Sequence, residues 1–398
     1  MKVLQINSVS GFGSTGRIAT DIADILISQG DECKIAYGRG DAPEKYRDIS
    51  VKVCSSLDNK IHGVLTRLFD VHGFCSCNAT KKLIKLIDEY SPDVIHLHNI
   101  HGYYLNVEIL FDYLKRADIP VVWTLHDCWS MTGHCAHFSA VRCNKYLGEC
   151  RDCPQLREYP ATLYPFNVRR NHTRKKKAFT KVKNLTIITP SEWLADVARG
   201  SYLGEYPVIP IYNGVDLEIF KPRESNFKER YGIQDKKILL GVANVWTKHK
   251  GLDDLVALSR VLDESYKVVL VGLSEEQVSA MPENVIALTR TKNVEELAEI
   301  YSAADVYVNP SIEETMGLTT AEALACGTPV ITYNKTAVPE VCDKTCGIVI
   351  EPGVDNIITA LEKVRFSADD CIYRAKHFEK MQQYLKYIEV YKNIAKQK

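Results

Sequence analysis

The sequence has no surplus of either charge. Its 50 Lys and Arg balance 50 Asp and Glu over 398 residues, so no global field draws the whole chain onto nucleic acid or membrane. No apolar run approaches the roughly 18 residues that a membrane-spanning helix needs. There is no short-period repeat and no low-complexity tract. The opening residues, Met1–Asn7, turn polar too soon for a signal peptide and read as a strand. A hydrophobic content of 45% with 25% charged residues excludes disordered and collagen-like classes. Cysteine, by contrast, is plentiful. Thirteen are present, an odd number for a secreted disulfide framework, so reduced thiols in a cytoplasmic setting are expected, with metal binding open to any clustered subset.

The length corresponds to two or three domains. In the first half, short aliphatic runs (Val3–Val9, Cys33–Tyr37, Asp93–His98, Pro120–Leu125, Leu185–Thr189) alternate with helical periodicity at Arg17–Ser28 and Lys81–Tyr90. A Gly- and Pro-punctuated stretch over 200–225 reads as a joint. The alternation then restarts, with strands at Lys237–Val245, Lys267–Val271, Val285–Leu288, Val306–Asn309, Pro329–Tyr333 and Ile348–Ile350. Helices are expected at Leu252–Leu262, Val294–Ala303, Thr320–Ala325 and Asp355–Val364. Such alternation predicts an α/β chain of two doubly wound parallel sheets. The expected domains are 1–205, with a Cys-rich insertion at 126–160, then 206–375, and a C-terminal helix over 376–398 packing back on the first. In open sheets ligands bind beyond the carboxyl ends of the strands, so the cleft between the halves is the expected site.

Gly11-Phe12-Gly13-Ser14-Thr15-Gly16 follows the first strand and opens the first helix. It matches G-x-G-x-x-G, in which a backbone without side chains approaches a phosphate. The acid that a nicotinamide-binding fold places at the end of its second strand is missing: that strand ends Tyr37-Gly38-Arg39-Gly40. A tight turn and a loop approaching a ligand both account for these glycines.

The richest segment runs from Asn309 through Glu314, Gly317 and Glu322 to Pro329-Val330. A helix starting after Gly317 offers unpaired N–H groups and a positive dipole end, which suit a diphosphate. Glu314 and Glu322 would flank that anion, each able to accept hydrogen bonds from sugar hydroxyls. A ligand-free account also exists, because Thr319-x-x-Glu322 has the form of a capping box. This segment closely resembles the E-x7-E signature, within P-S-x-x-E-x-x-G-L-x-x-x-E-A-x-A-x-G-x-P-V, of retaining glycosyltransferase family 4. The resemblance is specific over 309–333 and suggestive around 11–17, 123–153 and 242–251.

The resemblance implies the GT-B fold of two Rossmann-like domains, a nucleotide-sugar donor held mainly by the second, and no catalytic metal. Glu314 would contact the donor sugar and Glu322 the ribose, with Met316, Gly317, Leu318 and Thr319 lying against sugar and diphosphate. No Asp-x-Asp motif is present. Family members neutralise the diphosphate with the Arg and Lys of a V-G-R-x-x-x-x-K-G segment. Here Lys250-Gly251 match, but Asn244 stands where the Arg is expected, so Lys248 is assigned the missing charge. Gly13, Gly16 and His126 are the first-half donor contacts that the resemblance implies, and His98 and His101 are candidates for the acceptor. Positioning and charge stabilisation, through Glu314, His126 and Lys250, are assigned rather than a protein nucleophile.

Cys128, Cys135, Cys143, Cys150 and Cys153 fall within 26 residues, the last four reading C-x7-C-x6-C-x2-C. That spacing suits a structural zinc held by Cys135, Cys143, Cys150 and Cys153, with His134 and His137 as spare ligands; free thiols are the alternative. Insertions of the form H-D-x-W-x-x-T-G-x-C occur in bacterial capsule and exopolysaccharide glycosyltransferases that resemble this chain. Arg169–Lys177 carries six cations in nine residues, a solvated helix face or an attachment point for an anionic membrane. No nucleic-acid recognition motif accompanies it.

The expectation is thus a retaining, metal-independent hexosyltransferase using a nucleotide-diphosphate-sugar donor. Its acceptor would be a polysaccharide or lipid-linked oligosaccharide, and it would work in the cytoplasm or at the inner membrane face. A nucleotide-sugar epimerase on the same fold, a nicotinamide enzyme and a zinc-stapled binding protein are the rival readings.

Overall fold

Near-continuous aliphatic runs make strands that are buried on both faces, as parallel sheets require. In a computed structural model, which describes residues 1–164 and 167–396, the chain divides into two units. The first comprises Met1–Tyr212 with Gln383–Lys398, the second Asn213–Gln382.

The first unit holds β1 (Lys2–Asn7), β2 (Glu32–Tyr37), β3 (Ser50–Lys52), β4 (Val94–Leu97), β5 (Val121–Thr124), β6 (Leu185–Thr189) and β7 (Val208–Pro210). They form a parallel sheet in the order β3-β2-β1-β4-β5-β6-β7. Both edge strands escape a hydrophobic-pattern reading, being three residues long and only partly buried. The strand β7 lies inside the stretch expected as a joint. It pairs with β6 through Ile187↔Val208 to Thr189↔Pro210, and a proline is tolerated on an edge where no further ladder forms. The first unit therefore runs to Tyr212 rather than 205, and regains the chain at Gln383 rather than 376.

Helix Gly13–Ser28 begins at the glycine loop, earlier than the periodicity from Arg17 suggests. Its buried face of Ile18, Ile22, Ile25 and Leu26 shares one core with Tyr384, Tyr387 and Tyr391 of helix Lys380–Ala395. The opposite face of the sheet packs Phe111, Trp123 and Phe179, with ring centroids 4.6–5.3 Å apart. The cationic run forms helix Val168–Phe179, and it is not a uniformly solvated face. Lys175 is 1% exposed, its ammonium donating to the carbonyls of Trp129 (2.7 Å) and Thr132 (3.1 Å). Arg174 pairs with Glu108 and Arg169 with Glu149. Arg170, Lys176 and Lys177 stay exposed.

The second unit holds β8 (Lys237–Val242), β9 (Tyr266–Val271), β10 (Val285–Leu288), β11 (Val306–Asn309), β12 (Val330–Tyr333) and β13 (Gly347–Ile350). The order is β10-β9-β8-β11-β12-β13, again parallel. Among the described residues no helix is long and apolar enough to cross a membrane.

The end of β4 carries two imidazoles into the core of the first sheet. His96 Nε2 meets Thr124 Oγ1 at 2.8 Å, and Tyr391 reaches His96 Nδ1 at 2.6 Å. Burial holds His96, His98 and His72 well below the usual histidine range, and lowers His62 and His126 to about 4. These groups are neutral when folded, whereas an unfolded histidine titrates near 6.5. The unfolded state thus binds more protons as pH falls, so stability is full above about pH 6.5 and is lost towards 4, by up to about 1.4 kcal/mol per pH unit and group. Denaturant unfolding between pH 7.5 and 5 is expected to show this loss; a flat profile would refute the neutral cluster. Separately, Tyr391→Phe strands a buried ring nitrogen and is expected to cost about 1–3 kcal/mol in the same assay at pH 7.5.

Candidate functional site

In the second sheet the winding reverses between β8 and β11, which are neighbours (Val306↔Leu239, Tyr307↔Leu240) although far apart in sequence. Loops leaving such a pair diverge and open a crevice at the carboxyl ends of the strands. The loop after β8 runs through a 3₁₀ turn, Lys248–Lys250, into Gly251. Gly251 has φ 75°, and a Cβ there would lie 2.5 Å from the Pro310 carbonyl oxygen. Only glycine lets this loop lie against the one that follows β11. The Ile312 N–H donates to the His249 carbonyl across the same seam (2.9 Å).

That seam places Lys250 Nζ 2.5 Å from Glu314 Oε1. The side chains remain 30% and 18% exposed, so both ions keep contact with solvent. Ser311 Oγ donates to the same carboxylate oxygen at 3.4 Å, and the Glu314 N–H donates to Thr336 Oγ1 at 3.0 Å. Lys248 and Asn244 are exposed on the β8 loop. Gly317, with φ 85°, caps helix Leu318–Ala325 with no side-chain hydrogen bond. The capping box of the ligand-free account is absent, because Gly317 is the N-cap and Glu322 falls two residues beyond the N3 position. Thr319 Oγ1 instead accepts from Tyr307 (2.7 Å), and Tyr301 donates to Glu322 Oε2 (3.1 Å). Met316 is buried, its sulfur accepting from the Asn213 N–H. Tyr301, Tyr307, Ser311 and Thr336 are positioning groups that no spacing in the sequence announces.

In the first sheet the reversal lies between β1 and β4. The loop after β1 closes on itself, the Gly11 N–H donating to the Gly16 carbonyl at 3.1 Å. A Cβ on Gly16 would lie 3.1 Å from Gly11 N and one on Gly11 2.6 Å from Pro43, so the turn itself calls for glycine at both positions. Gly13, at φ 62°, starts the helix with open space beside it. After β4 and β5, His98, His101, His126 and Asp127 line one small cavity with Trp129. Gln5 donates to Ala19 O (2.7 Å) and its Oε1 accepts from His98 Nε2 (2.9 Å). Neutral His98 therefore accepts at Nδ1 from His126 Nε2 (3.2 Å), which leaves His126 Nδ1 a bare lone pair. Asp127 is 2.9 Å from His101 Nε2. Burial opposes the Asp127 charge, but His101, His137 and the Trp129 N–H together hold the carboxyl down at about 2.

Cys135, Cys143, Cys150 and Cys153 line a second cavity together with His134. All are free thiols. Among the described residues no group of three or more His, Cys, Asp or Glu side chains is already gathered into a metal-holding arrangement.

Two family models match the chain, "Glycosyltransferase Family 4" over residues 15–219 and "Glycosyl transferases group 1" over 223–384. The colanic acid biosynthesis glycosyl transferase WcaC of Escherichia coli K12 is 26% identical, covering 87% of this chain and 86% of its own. The alpha-monoglucosyldiacylglycerol synthase of Streptococcus pneumoniae is 34% identical over 37% of each chain. Among solved structures, sucrose-phosphate synthase from Thermosynechococcus elongatus superposes over both whole chains with a TM-score of 0.73 at 15% identity. Anabaena HepE in complex with UDP superposes at 0.69 and 15% identity, over 99% of this chain and 100% of its own. With two parallel Rossmann-like sheets in the GT-B manner and both halves matched, the chain belongs to glycosyltransferase family 4.

Proposed function

We propose that this chain is a retaining glycosyltransferase. It moves a sugar from a nucleotide-diphosphate-sugar to a polysaccharide or lipid-linked oligosaccharide acceptor, without a catalytic metal. The observation that carries the reading is the Lys250–Glu314 pair beside the uncapped start of helix Leu318–Ala325. A diphosphate on the free N–H groups of Leu318 and Thr319 would meet the positive end of the helix dipole. As the bond from the anomeric carbon to the phosphate oxygen breaks, negative charge grows on that oxygen. The Lys250 ammonium neutralises it, and Lys248 adds a point charge in place of the guanidinium absent at Asn244. Glu314, steadied by Ser311 and Thr336, accepts hydrogen bonds from the sugar, and Glu322, steadied by Tyr301, accepts them from the ribose.

His126 presents its Nδ1 lone pair to a hydroxyl of the donor sugar, Gly16 keeps backbone near the ligand free of side chain, and His98 and His101 serve the acceptor. WcaC, named for colanic acid biosynthesis, supports a surface-polysaccharide acceptor. HepE, solved with UDP and with UDP-glucose, supports a nucleotide-sugar donor. The reaction belongs at the cytoplasmic face of a membrane, where Arg170, Lys176 and Lys177 are the cations of the basic helix left for anionic headgroups.

Lys250→Ala is expected to lower sugar transfer about 10²–10³-fold, measured as nucleoside diphosphate released in the presence of acceptor. Turnover within about threefold of wild type would remove Lys250 from charge stabilisation. Glu322→Gln trades a charged acceptor for a neutral one and is expected to weaken nucleoside diphosphate binding about tenfold or more, with kcat changed little. Calorimetry across a panel of nucleoside diphosphates reads this, and an unchanged Kd for the tightest of them would place the ribose elsewhere.

A further inference from the structure

The insertion between β5 and helix Val168–Phe179 contains a buried group whose hydrogen bonding is incomplete. His134 is 2% exposed. Its Nδ1 lies 2.6 Å from Asp70 Oδ1. A carboxylate accepts, so Nδ1 carries the proton and a neutral ring holds its lone pair at Nε2. That Nε2 is buried and has no hydrogen-bond partner, and the residue lines the cavity shared by Cys135, Cys143, Cys150 and Cys153. An imidazole tied through Nδ1 to a carboxylate with its other nitrogen bare is the arrangement by which proteins orient a metal-binding histidine.

The sulfurs of Cys135, Cys150 and Cys153 line the same cavity as free thiols. Gly133 makes the approach of Cys150 sterically feasible, since a Cβ there would lie 2.9 Å from Cys150 Cβ and 2.3 Å from the Val168 carbonyl oxygen. Asp70 is itself fixed. It is the left-handed C-cap of helix Ser56–Phe69 (φ 52°), and its carbonyl accepts from Asn171 (2.5 Å).

We propose that this cavity is a structural zinc site, with Cys135, Cys150, Cys153 and His134 Nε2 as ligands and Asp70 as the carboxylate that orients the histidine. Three thiolates and one imidazole satisfy the tetrahedral preference of the ion. The donors are not yet gathered around one point; binding displaces the three thiol protons to solvent and draws the side chains inward within the cavity they already share. Cys143 lines the same cavity and stays outside the set because His134 supplies the fourth donor. The ion then ties the insertion to the end of helix Ser56–Phe69 and so holds the segment of Asp127 and Trp129 in place.

The test is metal analysis of the full chain purified under reducing conditions without chelator. About one zinc per chain is expected, with X-ray absorption giving three sulfurs and one nitrogen. Cys153→Ser should bring zinc below about a tenth per chain, and Asp70→Asn should weaken zinc about 10–100-fold in competition with a chelator. Wild-type protein with less than about a tenth of a zinc per chain overturns the site whatever the variants do. Zinc retained by folded Cys153→Ser at the wild-type level overturns the ligand set, and four sulfurs with no nitrogen overturns the role of His134.

Discussion

A lysine and a glutamate 64 residues apart in sequence meet at 2.5 Å, and the second unit's candidate site is arranged around that contact. It exists because β8 and β11 are neighbours whose outgoing loops touch, and the loops touch because position 251 carries no side chain. Remove that freedom and the Pro310 carbonyl blocks the seam before any charge can pair. The ion pair is partly solvated, a setting in which such a contact contributes little to stability. Its consequence is geometric: a cation and a carboxylate are held in defined positions beside helix N–H groups that no side chain caps.

The first unit reaches a comparable definition by a different route, through neutral groups. From the Ala19 carbonyl through Gln5 and His98 to His126, each donor fixes the role of the next acceptor. The strand geometry thus selects a tautomer two residues beyond the end of β5. Asp127, next in sequence, faces His101 and stays ionised. Adjacent residues therefore present a bare nitrogen lone pair and a carboxylate along one cavity wall.

Much of this was legible in the residues. Strands buried on both faces announced themselves as aliphatic runs, while Glu314, Gly317 and Lys250-Gly251 stood out through the resemblance of their segments to those of the family. The edge strands β3 and β7 were illegible because three half-exposed residues carry no period, and the punctuation at Pro207 and Pro210 concealed a real ladder. The helix after Gly317 begins two residues earlier than the Thr320 read from its pattern, and the capping form of Thr319-x-x-Glu322 is not used, because the left-handed Gly317 ends the loop. Lys175 looked like one more surface cation; only the carbonyls of Trp129 and Thr132 explain why it is inside. The hydroxyls of Tyr301 and Tyr307 are long-range partners, and nothing local marks them.

The helix Lys380–Ala395 has a consequence for biogenesis. Tyr384, Tyr387 and Tyr391 complete the core that Ile18 and Ile22 begin. During synthesis, therefore, the first sheet can assemble all its strands and still lack one wall until the chain has been made as far as Tyr391. The intervening unit has no such debt and can finish first. For that interval the nascent chain exposes an aliphatic face and the open side of His96.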